Sequence, residues 1–316
     1  METEKKPCLT IVVPCYNEEP VLEQTTQHLL AVLEGMQEIV SPDSRILYVD
    51  DGSHDATWSM IEQLHAEDRR IAGISLAHNS GHQNALMAGL TTAIRFADLT
   101  VTIDADLQDD ETVIKEMVQL ALQGNDIVYG VRSSRATDTW FKRTTAQAFY
   151  RLMGKMGVKT VYNHADYRLM SRRAVEALLH YEERNLFLRG LVPLLGYKTA
   201  QVEYARKERQ AGESKYPLTK MLNLAFDGIT SFSMSLVHMV LWLGLIFLLI
   251  ALGITIWVIV CIIQHKAITG WSSLILSIWF CSGCVLIGLG IVGEYIGKIY
   301  MEVKRRPRFN IKDERL

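Results

Sequence analysis

Two patterns of apolar residues divide the chain. Between residues 9 and 131, short runs rich in β-branched residues alternate with stretches in which apolar residues recur at helical spacing. Strands that are apolar at nearly every position and alternate with helices are typical of a parallel sheet covered on both faces. This part of the chain therefore predicts an α/β fold with a mostly parallel sheet. The predicted strands are Leu9–Pro14, Arg45–Asp50, Ile71–Leu76, Leu99–Asp104 and Asp126–Val131.

The second pattern consists of two long apolar runs, residues 236–263 and 271–293, which contain no Asp, Glu, Lys or Arg. A helix needs about 20 predominantly apolar residues to cross a bilayer. The two runs therefore predict a C-terminal transmembrane hairpin; two buried helices of a large soluble core are the alternative. The predicted division is a globular domain over 1–216, an interfacial amphipathic helix over 217–235, two spans within 236–297 and a basic tail over 298–316.

Charge is small overall and uneven in its distribution. The net charge of −2 gives no global basic field, which argues against nucleic acid as a partner. The tail at 298–316 holds seven Lys and Arg against three Asp and Glu. By the positive-inside rule, the tail and the globular domain lie on the cytoplasmic face of the cell membrane, as in a multi-pass protein. The apolar stripe of 217–235 predicts a helix at the bilayer surface; packing on the globular domain or on another protomer is the alternative.

Polar residues collect directly after the first four predicted strands. In open α/β sheets ligands bind at the carboxyl ends of the strands, so these residues are expected to share one rim. Crowded carboxylates are costly unless a cation neutralises them, and oxygen ligands favour Mg²⁺ or Mn²⁺. No G-x-G-x-x-G follows the first strand and no Walker motif occurs, so a nucleotide needs another arrangement. The four segments are Cys15–Glu19, Asp50–Ser53, Asn79–His82 and Asp104–Asp110.

The motifs at these strand ends resemble a known family. In this order, VPCYNEE, VDDGSHDAT, NSGHQNALMAGL and DADLQDD resemble family 2 of the inverting glycosyltransferases, which has the nucleotide-sugar-binding GT-A fold, over residues 8 to 230. Further along, ADYRLMSRRAV, RQAGESKYPLTKM and the predicted hairpin resemble the polyprenyl-phosphate branch of that family, which includes bactoprenol glucosyltransferases and dolichol-phosphate mannose synthase. The resemblance implies a Rossmann-like GT-A domain followed by the two spans.

The resemblance also implies sites for the donor and for Mg²⁺ or Mn²⁺. Where the family often has Lys, this chain has His82. The acidic pair at Asp50 and Asp51 has a second interpretation, an Asx-type turn into the next helix. The implied metal ligands are Asp104, Asp106 and Gln108. The implied donor-binding residues are Pro14, Tyr16, Asn17, Glu18, Asp50, Asp51, Gly81, His82 and Asp104.

Acceptor binding and catalysis are implied at a further set of residues. Asp166 matches the acidic residue proposed as catalytic, either as a base or as a group that orients its neighbours. Asp109 and Asp110 are instead expected to be a solvated helix start, since carboxylates are favoured there. The implied acceptor-phosphate residues are Arg132, Arg135 and Arg168, and the implied catalytic residues are Asp166, Asp106, Arg209 and Lys215, the last two on a mobile loop.

The reaction implied is metal-dependent transfer of one sugar from a nucleotide-sugar to undecaprenyl or another polyprenyl phosphate. UDP-glucose is the first choice of donor by family frequency, followed by UDP-GlcNAc and then by GDP-mannose or UDP-galactose. The implied partners are the lipid bilayer, a second copy of the chain in a dimer or tetramer, a separate flippase and a downstream glycosyltransferase of the cell envelope. Two alternatives stay open: a processive polysaccharide synthase, although Q-x-x-R-W is absent, and a non-enzymatic binding module.

Overall fold

The computed structural model describes residues 6–133, 164–184, 186–205 and 270–316, with single helical positions between 240 and 256. Three of the implied site residues, Arg135, Arg209 and Lys215, lie outside the described residues. The predicted interfacial helix at 217–235 and most of the first apolar run also lie outside them.

Strands and helices alternate through the first 130 residues as the sequence predicts, and each of the five predicted strands is present within two residues of its expected bounds. The strands are β1 Leu9–Cys15, β2 Arg45–Asp50, β3 Ile71–Leu76, β4 Leu99–Thr102, β5 Ile127–Arg132, β6 His164–Ser171, β7 Thr199–Tyr204 and β8 Ile311–Arg315. The helices are α1 Leu22–Glu34, α2 Thr57–Glu67, α3 His82–Ala93, α4 Ile114–Leu122, α5 Arg172–Leu179, α6 Leu188–Leu194 and α7 Trp271–Lys304, with a 3-10 turn at Glu111–Val113.

The described strands form one eight-stranded sheet in the order β7-β5-β6-β4-β1-β2-β3-β8. The neighbours β4, β1, β2 and β3 are all parallel, which confirms the predicted mostly parallel sheet. Strand β6 is antiparallel to both β4 and β5, whereas β7 is parallel to β5. The carboxyl ends of β1 to β4 therefore lie side by side, and the loops that follow them form the rim of the sheet.

The antiparallel strand β6 carries its own first residues to this rim. Thr102 of β4 is paired with Arg168 of β6. In an antiparallel pair the next residues along one strand oppose the preceding residues of the other. Asp104, just beyond β4, and Asp166, near the start of β6, are thus brought to the same edge.

Both faces of the sheet are covered by apolar packing. Ile11 and Val13 of β1 belong to the apolar cluster that includes Leu29 of α1, whereas Val12 between them belongs to the cluster on the other face with Ala88 of α3. This alternation follows from the two-residue period of a strand. Burial of each Val, Leu or Ile side chain contributes about 1.5–3 kcal/mol. This packing stabilises the sheet whose strand ends form the rim.

Helix α3 lies unusually close to the sheet. A Cβ atom added at Gly89 would overlap Val12 and lie 2.8 Å from Cγ2 of Val49. Glycine at this position lets α3 approach β1 and β2, and the approach places its first residue, His82, over the rim.

Helix α7 is long and apolar. By length and composition its segment Phe280–Lys304 could cross a membrane, with a mean hydropathy of 1.6 and none of its most apolar stretch buried. It is the one such helix in the part of the chain that the structure describes. Residues after it were predicted only as a basic tail, but Ile311–Arg315 form β8, which pairs antiparallel with β3 at the edge of the sheet.

Candidate active site

The loops after β1 and β2 are joined by hydrogen bonds into one surface. The amide of Asn17 donates to Oγ of Ser53 at 2.9 Å, and the amide of His54 donates back to Oδ1 of Asn17 at 2.9 Å. The amide of Glu18 donates to Oγ1 of Thr57 at 3.0 Å. Asn17 has φ 54°, a left-handed conformation that Asn tolerates better than most residues. The implied donor-binding residues of the two loops therefore lie together.

Tyr16 is the aromatic residue of this surface. Its half-buried ring lies edge-on to the ring of His54, with 6.5 Å between centroids. Pro14, also implied in donor binding, is instead a buried residue of β1, paired with Val49 of β2.

Asp50 and Asp51 are buried, and their carboxylates bind the turn after β2, strand β3 and the loop that follows β3. Asp50 accepts from the amide of Ser53 at 3.1 Å, the turn interpretation raised from the sequence, and from the hydroxyl of Ser75 at 2.8 Å. Asp51 accepts from the amides of Ser80 at 2.6 Å and Gly81 at 2.9 Å. Burial raises the pKa of Asp51, although these two amide donors oppose the rise. Both carboxylates thus fix the conformation of the loops at the rim.

His82 lies between two implied active-site carboxylates. Its Nε2 atom is 3.6 Å from Oδ1 of Asp104 and 3.9 Å from Oδ2 of Asp166. A protonated His82 would attract both groups. Gly81 before it has φ 90°, and no atom of the described residues lies within 4 Å of where its Cβ would be.

The acidic loop after β4 concentrates negative charge. The side chain of Asp104 is 43% exposed. Desolvation raises the pKa of Asp104 to about 6; His82 opposes the rise, and the carboxylates of Asp109, Asp106 and Asp166 add to it. Like charges at this spacing disfavour the ionised form of each other unless a cation is present.

The oxygen donors of this loop fit a hard divalent cation. Oδ1 of Asp106 accepts from the amide of Gln108 at 3.2 Å, a hydrogen bond that bends the loop directly after Asp106. Within the described ranges no three His, Cys, Asp or Glu side chains form a ready metal site. Mg²⁺ is commonly bound by one or two carboxylates together with substrate phosphates. Two aspartates completed by a diphosphate fit this pattern.

The expectation of a solvated Asp109 is wrong. Asp109 is 2% exposed, and its Oδ1 accepts from the hydroxyl of Tyr204 at 2.6 Å and from Nη2 of Arg132 at 3.0 Å. The positive φ of Leu107, 52°, accompanies the turn of the loop. Asp110 does behave as predicted, since its carboxylate caps the 3-10 turn by accepting from the amide of Thr112 at 3.1 Å.

Asp166 binds two arginines at once. Its Oδ1 accepts from Nη2 of Arg168 at 2.5 Å, and its Oδ2 accepts from Nη2 and Nε of Arg189 at 3.1 and 3.3 Å. Burial alone would raise the pKa of Asp166, but Arg189 and Arg168 together hold that pKa well below its usual range. A carboxylate so firmly ionised is a weak base, which favours the orienting role of the two left open by the sequence.

Arg168 is placed beneath this carboxylate. It is 2% exposed, and its Nη1 also donates to the carbonyl of Leu188 at 3.4 Å. With 2% of its side chain exposed, Arg168 has little surface to offer an acceptor phosphate. Arg132, the other implied acceptor residue that is described, is 27% exposed and bonded to Asp109.

Two residues that bind aspartates of this site are not predicted from the sequence. Arg189 comes from α6 and Tyr204 from the end of β7, and neither follows one of the four strands that define the rim motifs. An isolated arginine in a helix and a tyrosine in a strand are ordinary residues there, so the sequence carries no signal for either.

Comparisons with known proteins identify the family of the chain. Residues 10–179 match the family model Glycosyl transferase family 2. The uncharacterized glycosyltransferase YkoT of Bacillus subtilis (strain 168) is 50% identical over 98% of this chain and 92% of its own. The prophage bactoprenol glucosyl transferase homolog of Escherichia coli (strain K12) is 40% identical over 96% of this chain and 98% of its own. The bactoprenol glucosyl transferase of Shigella phage SfV is 40% identical over 97% and 99%. The chain is therefore a glycosyltransferase that belongs to family 2.

Proposed function

We propose that this glycosyltransferase moves one sugar from a nucleotide-sugar to a polyprenyl phosphate at the cytoplasmic face of a membrane. The observation that carries the proposal is that His82 lies between Asp104 and the Asp166–Arg189 pair at one rim, in a chain that also contains the apolar helix α7. The relatives named as bactoprenol glucosyl transferases support a polyprenyl phosphate acceptor and glucose as the sugar.

The donor nucleotide is assigned to the surface formed by the loops after β1, β2 and β3. Tyr16 offers an aromatic ring for the base, and the segment from Asn17 to Glu18 is held rigid by its hydrogen bonds to the next loop. UDP-glucose is the first candidate donor, and UDP-GlcNAc and GDP-mannose are the alternatives.

Mg²⁺ or Mn²⁺ is assigned to Asp104 and Asp106, with Gln108 as a further ligand. When bound, the ion would supply positive charge to the diphosphate as it leaves. With the ion bound, these residues would place the sugar diphosphate at the end of β4, next to His82 and Asp166. Arg209 and Lys215, outside the described residues, are proposed to cover the diphosphate from a loop.

The acceptor chemistry needs little help from a base. A phosphate monoester has a second pKa near about 6 and is already largely dianionic at neutral pH. One of its oxygens attacks the anomeric carbon, the bond from that carbon to the diphosphate oxygen breaks, and the configuration inverts. Asp166, with both oxygens engaged by arginines, suits a step in which no proton has to be removed.

A transmembrane hairpin is the topology we propose. Strand β8 follows α7 in the chain and pairs with β3, so the end of α7 and the catalytic sheet belong to one side of the membrane. Strands β1 to β7 precede α7 and β8 follows it, so a single crossing by α7 would place parts of one sheet on opposite sides of the membrane. A second crossing between residues 205 and 270 keeps the whole sheet on one side. The apolar run at 236–263 supplies it, and its described side chains Trp242, Ile246, Leu249 and Ile256 are exposed. The basic tail assigns the shared side to the cytoplasm.

The product is then a lipid-linked monosaccharide. Because the sugar is added on the cytoplasmic side, we propose that a separate flippase moves it across and that a downstream glycosyltransferase transfers it to an envelope glycan. A dimer or tetramer is proposed for the assembled enzyme.

The test is transfer of radiolabelled sugar into lipid that an organic solvent extracts. Purified full-length protein receives undecaprenyl phosphate, Mn²⁺ and one of a panel of UDP- and GDP-sugars, with EDTA and Asp106→Ala as controls. Label from one donor, lost in both controls, supports the proposal and names the sugar. Absence of label from every donor, in protein that still binds nucleotide, would rule out the lipid acceptor. Products longer than one sugar would instead point to a processive synthase.

A further inference from the structure

We propose that Arg189 is the cation that binds a substrate phosphate at the rim, and that Asp166 holds its guanidinium in place. The inference rests on the proposed function and adds to it a residue that none of the rim motifs contains. The ligand chemistry is a phosphate oxyanion, which either the donor diphosphate or the acceptor phosphate can provide.

The backbone that carries Arg189 is fixed at several points. The amide of Leu188 donates to Oε1 of Gln83 in the first turn of α3 at 2.8 Å, and the carbonyl of Leu188 accepts from Nη1 of Arg168. Leu188 itself is 2% exposed. The start of α6 is thus bound to both α3 and β6, the two elements that supply His82 and Asp166.

The guanidinium is also oriented. Nε and Nη2 of Arg189 converge on one atom, Oδ2 of Asp166, at 3.3 and 3.1 Å. Two donors on one carboxylate oxygen fix the direction of the planar group better than a single bond does. The guanidinium is a delocalised cation whose planar group suits both carboxylate and phosphate oxygens, so it can attract a phosphate while it is bonded to Asp166.

Exposure distinguishes the two arginines that bind Asp166. The side chain of Arg168 is 2% exposed, whereas that of Arg189 is 34% exposed. A substrate phosphate can therefore reach Arg189 while Asp166 stays where it is. Arg168 then acts as the buried partner that compensates the carboxylate, and Arg189 as the partner that faces the substrate.

The position of Arg189 relative to the acidic loop suits this role. The atom that it binds, Oδ2 of Asp166, lies 3.9 Å from Nε2 of His82, which in turn lies 3.6 Å from Oδ1 of Asp104. The side chain of His82 thus lies between Asp104 and the carboxylate that binds Arg189, so a phosphate near Asp104 would also be near Arg189. The carboxylates here repel a polyanionic substrate, and a nearby cation offsets that repulsion.

The experiment compares Arg189→Gln with Arg173→Gln in full-length protein. Arg173 also pairs with an aspartate, Asp126, but at the opposite end of β6, so it controls for loss of an ion pair away from the rim. Transfer kinetics give kcat and KM for each substrate, and calorimetry with UDP and Mn²⁺ without lipid reports on the donor site alone.

We expect Arg189→Gln to lower kcat/KM by about 10- to 100-fold, as for loss of a hydrogen bond between charged groups. The control should stay within about twofold of the wild type. Weaker UDP binding assigns the phosphate to the donor; normal UDP binding with a raised KM for undecaprenyl phosphate assigns it to the acceptor. Unchanged kcat/KM for both substrates overturns the inference.

Arg189→Lys decides the question if the Gln variant fails to fold. Lysine keeps the charge but loses the planar group that can hold Asp166 and a phosphate together. A tenfold or larger fall in kcat/KM supports the inference, and wild-type kinetics contradict it. If the wild type itself transfers no sugar to lipid, the proposed acceptor fails, while the UDP-binding comparison still tests Arg189.

Discussion

Asp51, at the end of β2, accepts a hydrogen bond of 2.6 Å from the backbone amide of Ser80, 29 residues further along the chain. The other oxygen of the same carboxylate accepts from the amide of Gly81 at 2.9 Å. These two bonds attach the loop after β3 to the neighbouring strand immediately before α3 begins. A residue implied in nucleotide binding therefore also determines where His82 lies.

The substitution Asp51→Asn is expected to destabilise the protein by about 1–3 kcal/mol, because an amide group can accept only one of the two bonds and leaves a partly buried N–H unpaired. Denaturant unfolding in detergent measures the change. Asp43→Asn, at an exposed position, is the control and should stay within about 0.5 kcal/mol of the wild type. Equal stability of the two variants would contradict this account of the loop.

The turn after β2 requires glycine at position 52. Gly52 has φ 67°, and a Cβ atom there would lie 2.7 Å from the carbonyl carbon of His78. We expect Gly52→Ala to lower thermal stability and transfer activity together, because the loop after β2 and the loop after β3 would have to move apart to make room for the Cβ atom. Gly124→Ala is the matched control, since Gly124 has φ 88° but no atom of the described residues within 4 Å of an added Cβ. It carries only the strain of the left-handed conformation, about 1–2 kcal/mol. A Gly52 variant no less stable than the control would show that the contact is harmless.

Metal dependence is expected to follow the acidic loop. Asp104→Asn should reduce transfer by about 100-fold or more, because stabilisation of the leaving diphosphate is lost. Asp110→Asn should retain nearly full activity, since asparagine caps a helical turn as well as aspartate does. Initial rates at several Mn²⁺ concentrations, with EDTA as the zero point, provide the measurement. Asp104→Asn with the wild-type metal response would remove Asp104 from the metal site.

Acid stability is expected to depend on Asp126. Its hydrogen bonds to Arg173 lower its pKa; burial opposes this, and a hydrogen bond from Ser171 adds to the lowering. A depressed carboxylate pKa stabilises the folded state above the unfolded value of about 3.9, and that contribution is lost as pH falls through the folded pKa. Asp126→Asn should therefore be less stable than wild type at pH 7, with the difference shrinking below about pH 4. Unfolding midpoints at pH 3 to 7 test the sign, and a constant difference would contradict it.

The four strand-end loops of the rim could be predicted because each lies directly after an apolar strand and the strands are parallel. Strand β6 could not be placed in this way, since its position between β4 and β5 depends on long-range pairing. Asp166 was singled out by resemblance, and its partner Arg189 was not found at all. Asp109 was misjudged because local sequence shows a favourable helix start, whereas Tyr204 and Arg132 arrive from strands far along the chain.

The pairing of β8 with β3 has a consequence for how the protein is made. Strand β3 emerges from the ribosome early, but its edge partner is synthesised only after the apolar helix α7. During that interval the nascent sheet presents an open edge, the kind of surface on which β-sheet proteins aggregate. In the proposed topology, membrane insertion of the apolar segments and closure of this sheet edge are therefore successive steps of one folding process, and delayed insertion would prolong exposure of the edge.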